Sequence, residues 1–368
     1  MRILELSTFN ETCGIATYAE SLVRALAARG HDVSAIAPVL RPRVDARGPD
    51  VPRLWSHRLA SIGEARVVFE RVRQLRPDVV HVQHNLSLFS ARFLFALTLL
   101  CRRAGVPVVV TLHGVSGGTL ARRFKYGREL FAMRGARFIV HNQEHARLMG
   151  GRATVIEHGA PKRERRDLAE AKRSLGLDPA RPVLVHFGFL AQNKGVEETL
   201  RAVAELKRGR FPTIYYWIAG GTFPADESRV YLERLRRLTR ELGLEDHVHL
   251  SGSFTPDEQV LAELQAGDWI VLNYLSTADQ GTSGAARHAM AGGRPIAVSE
   301  STLFDDLREA THTLRGPLVQ GLAEILERPD LAVAANRRAD AFCEEHSWER
   351  VAERHERVFE RAVGSRTP

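Results

Sequence analysis

Apolar runs of about four to six residues alternate with longer stretches whose apolar positions recur every three or four residues, from one end of the chain to the other. A short, continuously apolar run suits a strand covered on both faces, and the longer period suits a helix lying across it. Repetition of that alternation predicts parallel sheets with crossover helices. The first unit reads as a strand over 3–7, a loop through Asn10-Glu11-Thr12, and a helix over 14–29. Ile15, Tyr18, Leu22 and Leu26 share one face of that helix, and Gly30 closes it. Residues 32–37 return as a strand.

Further strands are predicted at 79–83, 106–112, 137–141 and 154–156, with helices at 64–75 and 90–104. Residues 160–180 contain Pro161, Pro179 and the run Lys162-Arg163-Glu164-Arg165-Arg166, and read as an interdomain linker with a lead-in helix. A second strand series follows at 183–187, 215–219, 248–250, 269–272 and 296–298, with helices at 195–208, 228–243, 257–267 and 284–291. The chain ends in helical patterns at 329–345 and 348–363, with Ser347 as an N-cap candidate. The expected organisation is α/β, with two doubly wound domains at 1–162 and 181–346, a linker at 163–180 and a closing helical segment at 347–368.

A chain of 368 residues has room for two cores, and 44% hydrophobic with 26% charged residues excludes a disordered or collagen-like chain. Purely apolar runs such as Phe93-Leu94-Phe95-Ala96-Leu97 fall far short of the roughly 20 residues of a membrane span. The first residues read as a strand and lack the apolar core and cleavage site of a secretory leader, so a cytoplasmic protein beginning at Met1 is expected. Cys13, Cys101 and Cys343 are widely separated and have no metal-ligand spacing, which favours reduced thiols. The net charge is +8, yet only five of the 52 basic residues are lysines, and the arginines are spread along helices among glutamates. That distribution reads as solvated helix faces, with no nucleic-acid partner expected.

In open parallel sheets ligands bind beyond the carboxyl ends of the strands, so the candidate chemistry lies in those loops. In the segment from Tyr274 to Pro295 a strand runs through a Gly/Thr/Ser loop into a helix. Amides at Thr282, Ser283 and Gly284 there can face a diphosphate, although Gly281 and Gly284 equally suit a plain tight turn. The loop Phe187-Gly188-Phe189-Leu190-Ala191-Gln192-Asn193-Lys194-Gly195 ends with a lysine beside a helix start, where an ammonium is unfavourable unless an anion binds. Gly14 follows the first strand at a place where backbone can approach a ligand closely. The strand Val108-Val109-Val110-Thr111-Leu112 delivers His113 and Gly114 to the loop beyond it, to bind a ligand hydroxyl or to cap the sheet.

Taken in order, several short motifs resemble the GT-B glycosyltransferases of the group 1, or family 4, class. They are Cys13-Gly14-Ile15-Ala16-Thr17, His113-Gly114, Glu157-His158-Gly159, Gly188 with Lys194-Gly195, Ala219-Gly220-Gly221, His249-Leu250-Ser251-Gly252, the 281–295 segment and Ser347-Trp348-Glu349-Arg350-Val351. The resemblance covers nearly the whole chain. It implies a GT-B fold of two Rossmann-like domains facing a cleft, with the last helix crossing back to the first domain. It also implies an acceptor on the N-terminal side, a nucleoside-diphosphate-sugar on the C-terminal side, and transfer to a hydroxyl with retention.

On that resemblance Lys194 neutralises the donor diphosphate and the amides of Gly281, Thr282, Ser283 and Gly284 cradle it. Gly188 belongs to the same loop system, Gly252 and Ser253 meet the base, and His113 holds a donor-sugar hydroxyl. Gly14 lets the first loop close over the sugar and diphosphate. The nucleotide-sugar is a co-substrate, and neither a resident cofactor nor a metal is required. Three positions depart from the family pattern: Gln280 and His288 stand where two glutamates are usual, and Phe189 where an arginine is common. Gln280 can still accept from a sugar hydroxyl, His288 takes the ribose-facing place, and Arg287 or Arg294 is the candidate for replacement charge. Arg122, Arg123 and Lys125, interleaved with Leu120, Phe124 and Tyr126, read either as an acceptor-side basic surface with peripheral contact at the inner membrane face or as a solvated helix face. The rival functions are a degenerate sugar-nucleotide-binding partner protein and, on the same fold, a nucleotide-sugar epimerase or a phosphorylase.

Overall fold

The computed structural model describes the whole chain except residues 12, 41–49, 86–87, 115–126, 129, 223–225, 254–256, 276–282 and 366–368. Its contacts divide into two units, Met1–Gly159 with Trp348–Pro368, and Ala160–Ser347. The first holds a seven-stranded sheet of β1 (Arg2–Leu6), β2 (Asp32–Pro38), β3 (Arg53–Trp55), β4 (Val79–His84), β5 (Val108–Leu112), β6 (Arg137–Val140) and β7 (Ala153–Val155). The strand order is β3-β2-β1-β4-β5-β6-β7, with every pairing parallel.

Alternation along these strands sorts the core into two layers. Leu4, Leu6, Val80, Val82, Val110 and Leu112 pack with Val68 and Phe93 of the helices Ile62–Leu75 and Ala91–Arg103. The opposite parity, Ile3, Val79, Val109 and Ile139, packs with the helices Gly14–Ala28 and Trp348–Gly364 through Leu22, Leu26, Val351 and Phe359. Each such fully buried side chain contributes about 1.5–3 kcal/mol over an exposed one. Local signals start the helices. Ser61 and Glu64 form a capping box, Ser90 caps Phe93, and the Cys13 Sγ accepts from the Ala16 amide at 3.3 Å.

The closing helix is fixed to the first unit by polar contacts as well. Tyr18 Oη lies 3.2 Å from His355 Nε2, and Arg29 donates to Glu356 at 2.9 Å. Trp348 packs so closely on Gly159 that a Cβ there would stand 2.6 Å from the indole.

The second unit holds β8 (Val183–Phe187), β9 (Tyr215–Gly221), β10 (Val248–Gly252), β11 (Trp269–Leu272), β12 (Ile296–Val298) and β13 (His312–Thr313), ordered β10-β9-β8-β11-β12-β13 and parallel throughout. One face packs on the helices Val196–Arg208 and Leu318–Glu327, the other on Asp257–Gln265 and Gly284–Ala289. The segment 163–180 lies within this unit. Asp167 caps the helix Leu168–Ser174, and the buried Lys172 ammonium pairs with Asp268 at 2.8 Å and donates to the Arg181 carbonyl at 2.7 Å. Arg163 pairs with Asp340 at 2.8 Å.

The sequence pattern did not announce β3, β13 or the helices Gln143–Leu148 and Leu318–Glu327. The two strands have three and two residues, too few to show a period. Among the described residues no helix is long and apolar enough to cross a membrane. All three cysteines are free thiols.

His186 on β8 is buried, and desolvation together with the Lys194 charge lowers its pKa from 6.5 to about 3. The fold therefore holds it neutral, while the unfolded chain takes up a proton below about pH 6.5. Its contribution is complete above that pH and falls by up to about 1.4 kcal/mol per pH unit as the solution is acidified toward 3. Chemical denaturation at about pH 7 and about pH 5 should show the loss, and His186→Leu should flatten it. Equal pH slopes for the two proteins would remove His186 from the account.

Candidate active site

In the second sheet the connections run outward from β8 in one direction and from β11 in the other, so the carboxyl ends of these two neighbours form the switch point. Their loops meet at backbone distance. A Cβ on Gly195 would stand 1.8 Å from the Asn273 carbonyl oxygen, and Gly195 has φ +62°. The Leu275 amide donates to the Asn193 carbonyl at 2.9 Å. Gly220 at the end of β9 passes the Gly188 carbonyl just as closely, its Cβ position lying 2.1 Å from that oxygen. Only glycine permits either approach.

Lys194 precedes Gly195 and the start of the helix Val196–Arg208. Its Nζ lies 3.7 Å from the centre of the Tyr274 ring. Among the described residues no carboxylate forms an ion pair with it. The Tyr274 hydroxyl accepts from Ser283 Oγ at 3.3 Å, and Ser283 Oγ in turn caps the Ala286 amide at 3.2 Å. Gly284 opens the helix Gly284–Ala289, and a Cβ there would meet nothing within 4 Å. The structure thus brings Gly188, Lys194, Ser283 and Gly284 to one edge, linked through Tyr274, which sequence reasoning did not single out.

His288, on the same short helix, stacks its ring on Phe187 with centroids 5.2 Å apart and planes inclined by 19°. Gly252 ends β10 and Ser253 follows it, on the far side of β9 from β8. The Gly252 carbonyl accepts from the Thr222 amide at 3.2 Å, and Leu232 occupies the space a Cβ on Gly252 would need. Gln280, Gly281 and Thr282 lie outside the described residues. Neither candidate for replacement charge supplies it: buried Arg287 is held by Asp306 beside the Phe342 ring, and Arg294 donates to the carbonyls of Gln265 and Arg166.

In the first sheet the corresponding switch point lies between β1 and β4. Gly14 begins its helix with open space where a Cβ would be. His113 stands just beyond β5 at the end of a chain of polar side chains that the sequence reading missed. Glu5 on β1 accepts from Gln83 Nε2 at 2.6 Å and from His81 Nδ1 at 2.8 Å. His81 Nε2 meets Thr111 Oγ1 at 2.8 Å, Gln83 Oε1 meets His113 Nε2 at 2.7 Å, and His113 Nδ1 lies 3.3 Å from His141 Nε2. Desolvation, then His141, His158, His81 and His84, hold the His113 pKa well below its usual value. The Tyr18 ring stands edge-on to His113, with centroids 4.8 Å apart. Arg122, Arg123 and Lys125 lie outside the described residues.

Comparison with known proteins gives these two sites a context. Residues 12–160 match the Glycosyltransferase Family 4 model and residues 167–314 the Glycosyl transferases group 1 model. A 2-deoxystreptamine N-acetyl-D-glucosaminyltransferase of Streptomyces fradiae is 27% identical over 89% of this chain and 77% of its own length. A D-inositol 3-phosphate glycosyltransferase of Corynebacterium diphtheriae is 25% identical over 94% of this chain and 89% of its own. The fold matches that of Anabaena HepE, solved with UDP, at TM-score 0.74 and 16% identity, over 98% of this chain and all of that one. A glycosyltransferase from Rickettsia africae matches at TM-score 0.75 and 12% identity, over 99% of each chain. With both halves matched in order and the two parallel sheets in place, the chain belongs to the group 1 glycosyltransferases of GT-B fold and is a transferase of the glycosyl-transferring class.

Proposed function

We propose that this glycosyltransferase takes a nucleoside-diphosphate-sugar as donor and transfers the sugar to a hydroxyl with retention, the departing diphosphate taking the acceptor proton. The observation that carries the reading is the Lys194 ammonium. It stands at the start of a 13-residue helix and over the Tyr274 face, with no carboxylate partner among the described residues. A cation beside the positive end of a helix dipole is unfavourable alone and favourable with an anion between them. A diphosphate at this edge receives Lys194, and the helix opening adds the Gly284 amide, whereas the Ser283 amide expected beside it is already bonded to the Leu303 carbonyl at 3.2 Å. Lys194 thereby does the work of charge neutralisation that a metal does in other transferases. His113 binds a hydroxyl of the transferred sugar. The presence of UDP in the HepE structure supports a uridine carrier as the first to test.

Thermal shift with UDP-, GDP-, ADP- and dTDP-sugars identifies the carrier, since a ligand bound only by the folded state raises its stability by mass action. With the responding donor, Lys194→Ala should lower kcat/KM for donor consumption about tenfold or more, because a charge-assisted contact is worth about 1.5–3 kcal/mol. Unchanged kinetics in a folded variant would remove Lys194 from the donor site.

His113→Ala should slow turnover while leaving affinity for the free nucleoside diphosphate nearly intact, as expected of a side chain that touches the sugar and not the nucleotide. Loss of nucleotide affinity together with rate would assign His113 to another role.

At the ribose position an imidazole cannot accept from two hydroxyls as a carboxylate can, so the native enzyme should tolerate a deoxyribose carrier. His288→Glu should shift relative kcat/KM from dTDP- toward UDP- or GDP-sugars. An unchanged carrier ratio would remove His288 from the ribose site.

A further inference from the structure

Tyr274 follows β11 and is buried. Its carbonyl accepts from Ser299 Oγ at 2.7 Å, its ring packs against Phe304 with centroids 4.7 Å apart, and its hydroxyl accepts from Ser283 Oγ at 3.3 Å. A Cβ on Gly188 would stand 3.9 Å from that hydroxyl, so the tip of the side chain also lies against the loop after β8. A tyrosine tied at its backbone, its ring and its tip keeps one orientation. The centre of the ring so fixed lies 3.7 Å from the Lys194 Nζ.

Lys194 is half-buried, and the rotatable bonds of a lysine give its ammonium many positions unless something restrains it. The nature of the restraint decides what else the cation can bind. A carboxylate partner cancels its charge and takes up its N–H groups, so an incoming anion has to displace that partner first. An aromatic face attracts the ammonium through the ring quadrupole while carrying no net charge, and leaves N–H groups directed away from the ring for an anion. Among the described residues no carboxylate pairs with Lys194, and the Tyr274 ring stands in that place.

Resting on the diphosphate role of Lys194 given above, we propose that Tyr274 is a positioning residue for the donor, its ring face holding the Lys194 ammonium charged and available at the anion edge of the second sheet. Tyr274 acts through Lys194 and not by touching the anion. Its hydroxyl contact with Ser283 ties the ring to the opening of the helix Gly284–Ala289, so the ammonium and the Gly284 amide keep one separation. A cation already restrained loses less freedom when the anion arrives, and the gain in affinity arises there.

The pairing is read without ligand by NMR of the full chain carrying 13C-labelled lysine. The ring current should move the Cε protons of Lys194 upfield in the native protein and in Tyr274→Phe, and the shift should vanish in Tyr274→Leu. A native spectrum without it overturns the proposal. The consequence is read from the affinities of free UDP, GDP, ADP and dTDP for the native protein, Tyr274→Phe, Tyr274→Leu, Lys194→Ala and the double variant Tyr274→Leu with Lys194→Ala. For the nucleotide that binds tightest, Tyr274→Leu should weaken binding about 3–30-fold and Tyr274→Phe should stay within about threefold of native. Once Lys194 is alanine, Tyr274→Leu should change nothing further. Equal losses from Tyr274→Leu in both backgrounds mean that the tyrosine only supports the loops, and that result, like native affinity in Tyr274→Leu, overturns the proposal. Should Tyr274→Leu not fold, a ring-fluorinated phenylalanine at residue 274 keeps the ring and weakens its negative face; affinity equal to that of Tyr274→Phe then overturns the proposal. Native affinity in Lys194→Ala, or no binding of any of the four nucleotides, overturns the diphosphate role of Lys194 and the proposal with it. A ring-current shift that persists alongside either result separates that failure from a failure of the pairing.

Discussion

The Asn273 carbonyl occupies the place where any side chain on residue 195 would begin. That single close approach brings the loop after β8 against the end of β11 at backbone distance, and the Leu275–Asn193 hydrogen bond follows from it. Lys194, one residue earlier, is thereby directed over Tyr274, whose hydroxyl reaches the Ser283 cap. A larger residue at 195 pushes the two loops apart and separates the cation from the helix opening together. The electrostatics of the second unit therefore depend on a steric fact about one glycine.

Much of this was legible in the sequence because both sheets are fully covered. Buried parallel strands appear as unbroken apolar runs, and β1, β5, β8 and β11 were placed to within about two residues. The glycines also showed where the loops lay, but not what each one does. Gly195 and Gly220 answer to backbone packing, whereas Gly14 and Gly284 face open space. That difference arises from contacts remote in sequence. The polar row of the first sheet was missed for a related reason. In Val79-Val80-His81-Val82-Gln83-His84 an alternation of apolar and polar residues reads as a strand with one wet face, and that face is dry because the helix Gly14–Ala28 and the closing helix, more than 260 positions later in the chain, cover it together. Tyr274 went unnoticed because a tyrosine after a strand carries no signal until its neighbours are known.

The two sheets satisfy their carboxyl edges by different means. The first is covered there by Tyr18 and His355 from two helices, so its polar groups bond to one another in a chain anchored by the Glu5 carboxylate and the Ile156 carbonyl. The second is served by backbone groups of short loops and by one ammonium over an aromatic face. Neutral, oriented acceptors and donors suit the recognition of hydroxyls, where one misplaced proton turns attraction into repulsion. A flexible cation beside a helix opening suits an anion, whose charge is spread over several oxygens.

The departures from the family pattern around β8 and β11 have a local logic. His288 lies flat on Phe187, and the face of an aromatic ring carries the negative part of its quadrupole. A carboxylate brought onto that face is repelled, while an imidazole stacks on it, so the identity of residue 288 is tied to the aromatic residue beneath it. Phe189, where an arginine is common, adds no charge to the same loop, and Arg287 cannot compensate because Asp306 already holds it in the core. On the proposed function, Lys194 is then left, among the described residues, with a larger share of the neutralisation of a diphosphate at this edge, and its contribution to binding is correspondingly less redundant.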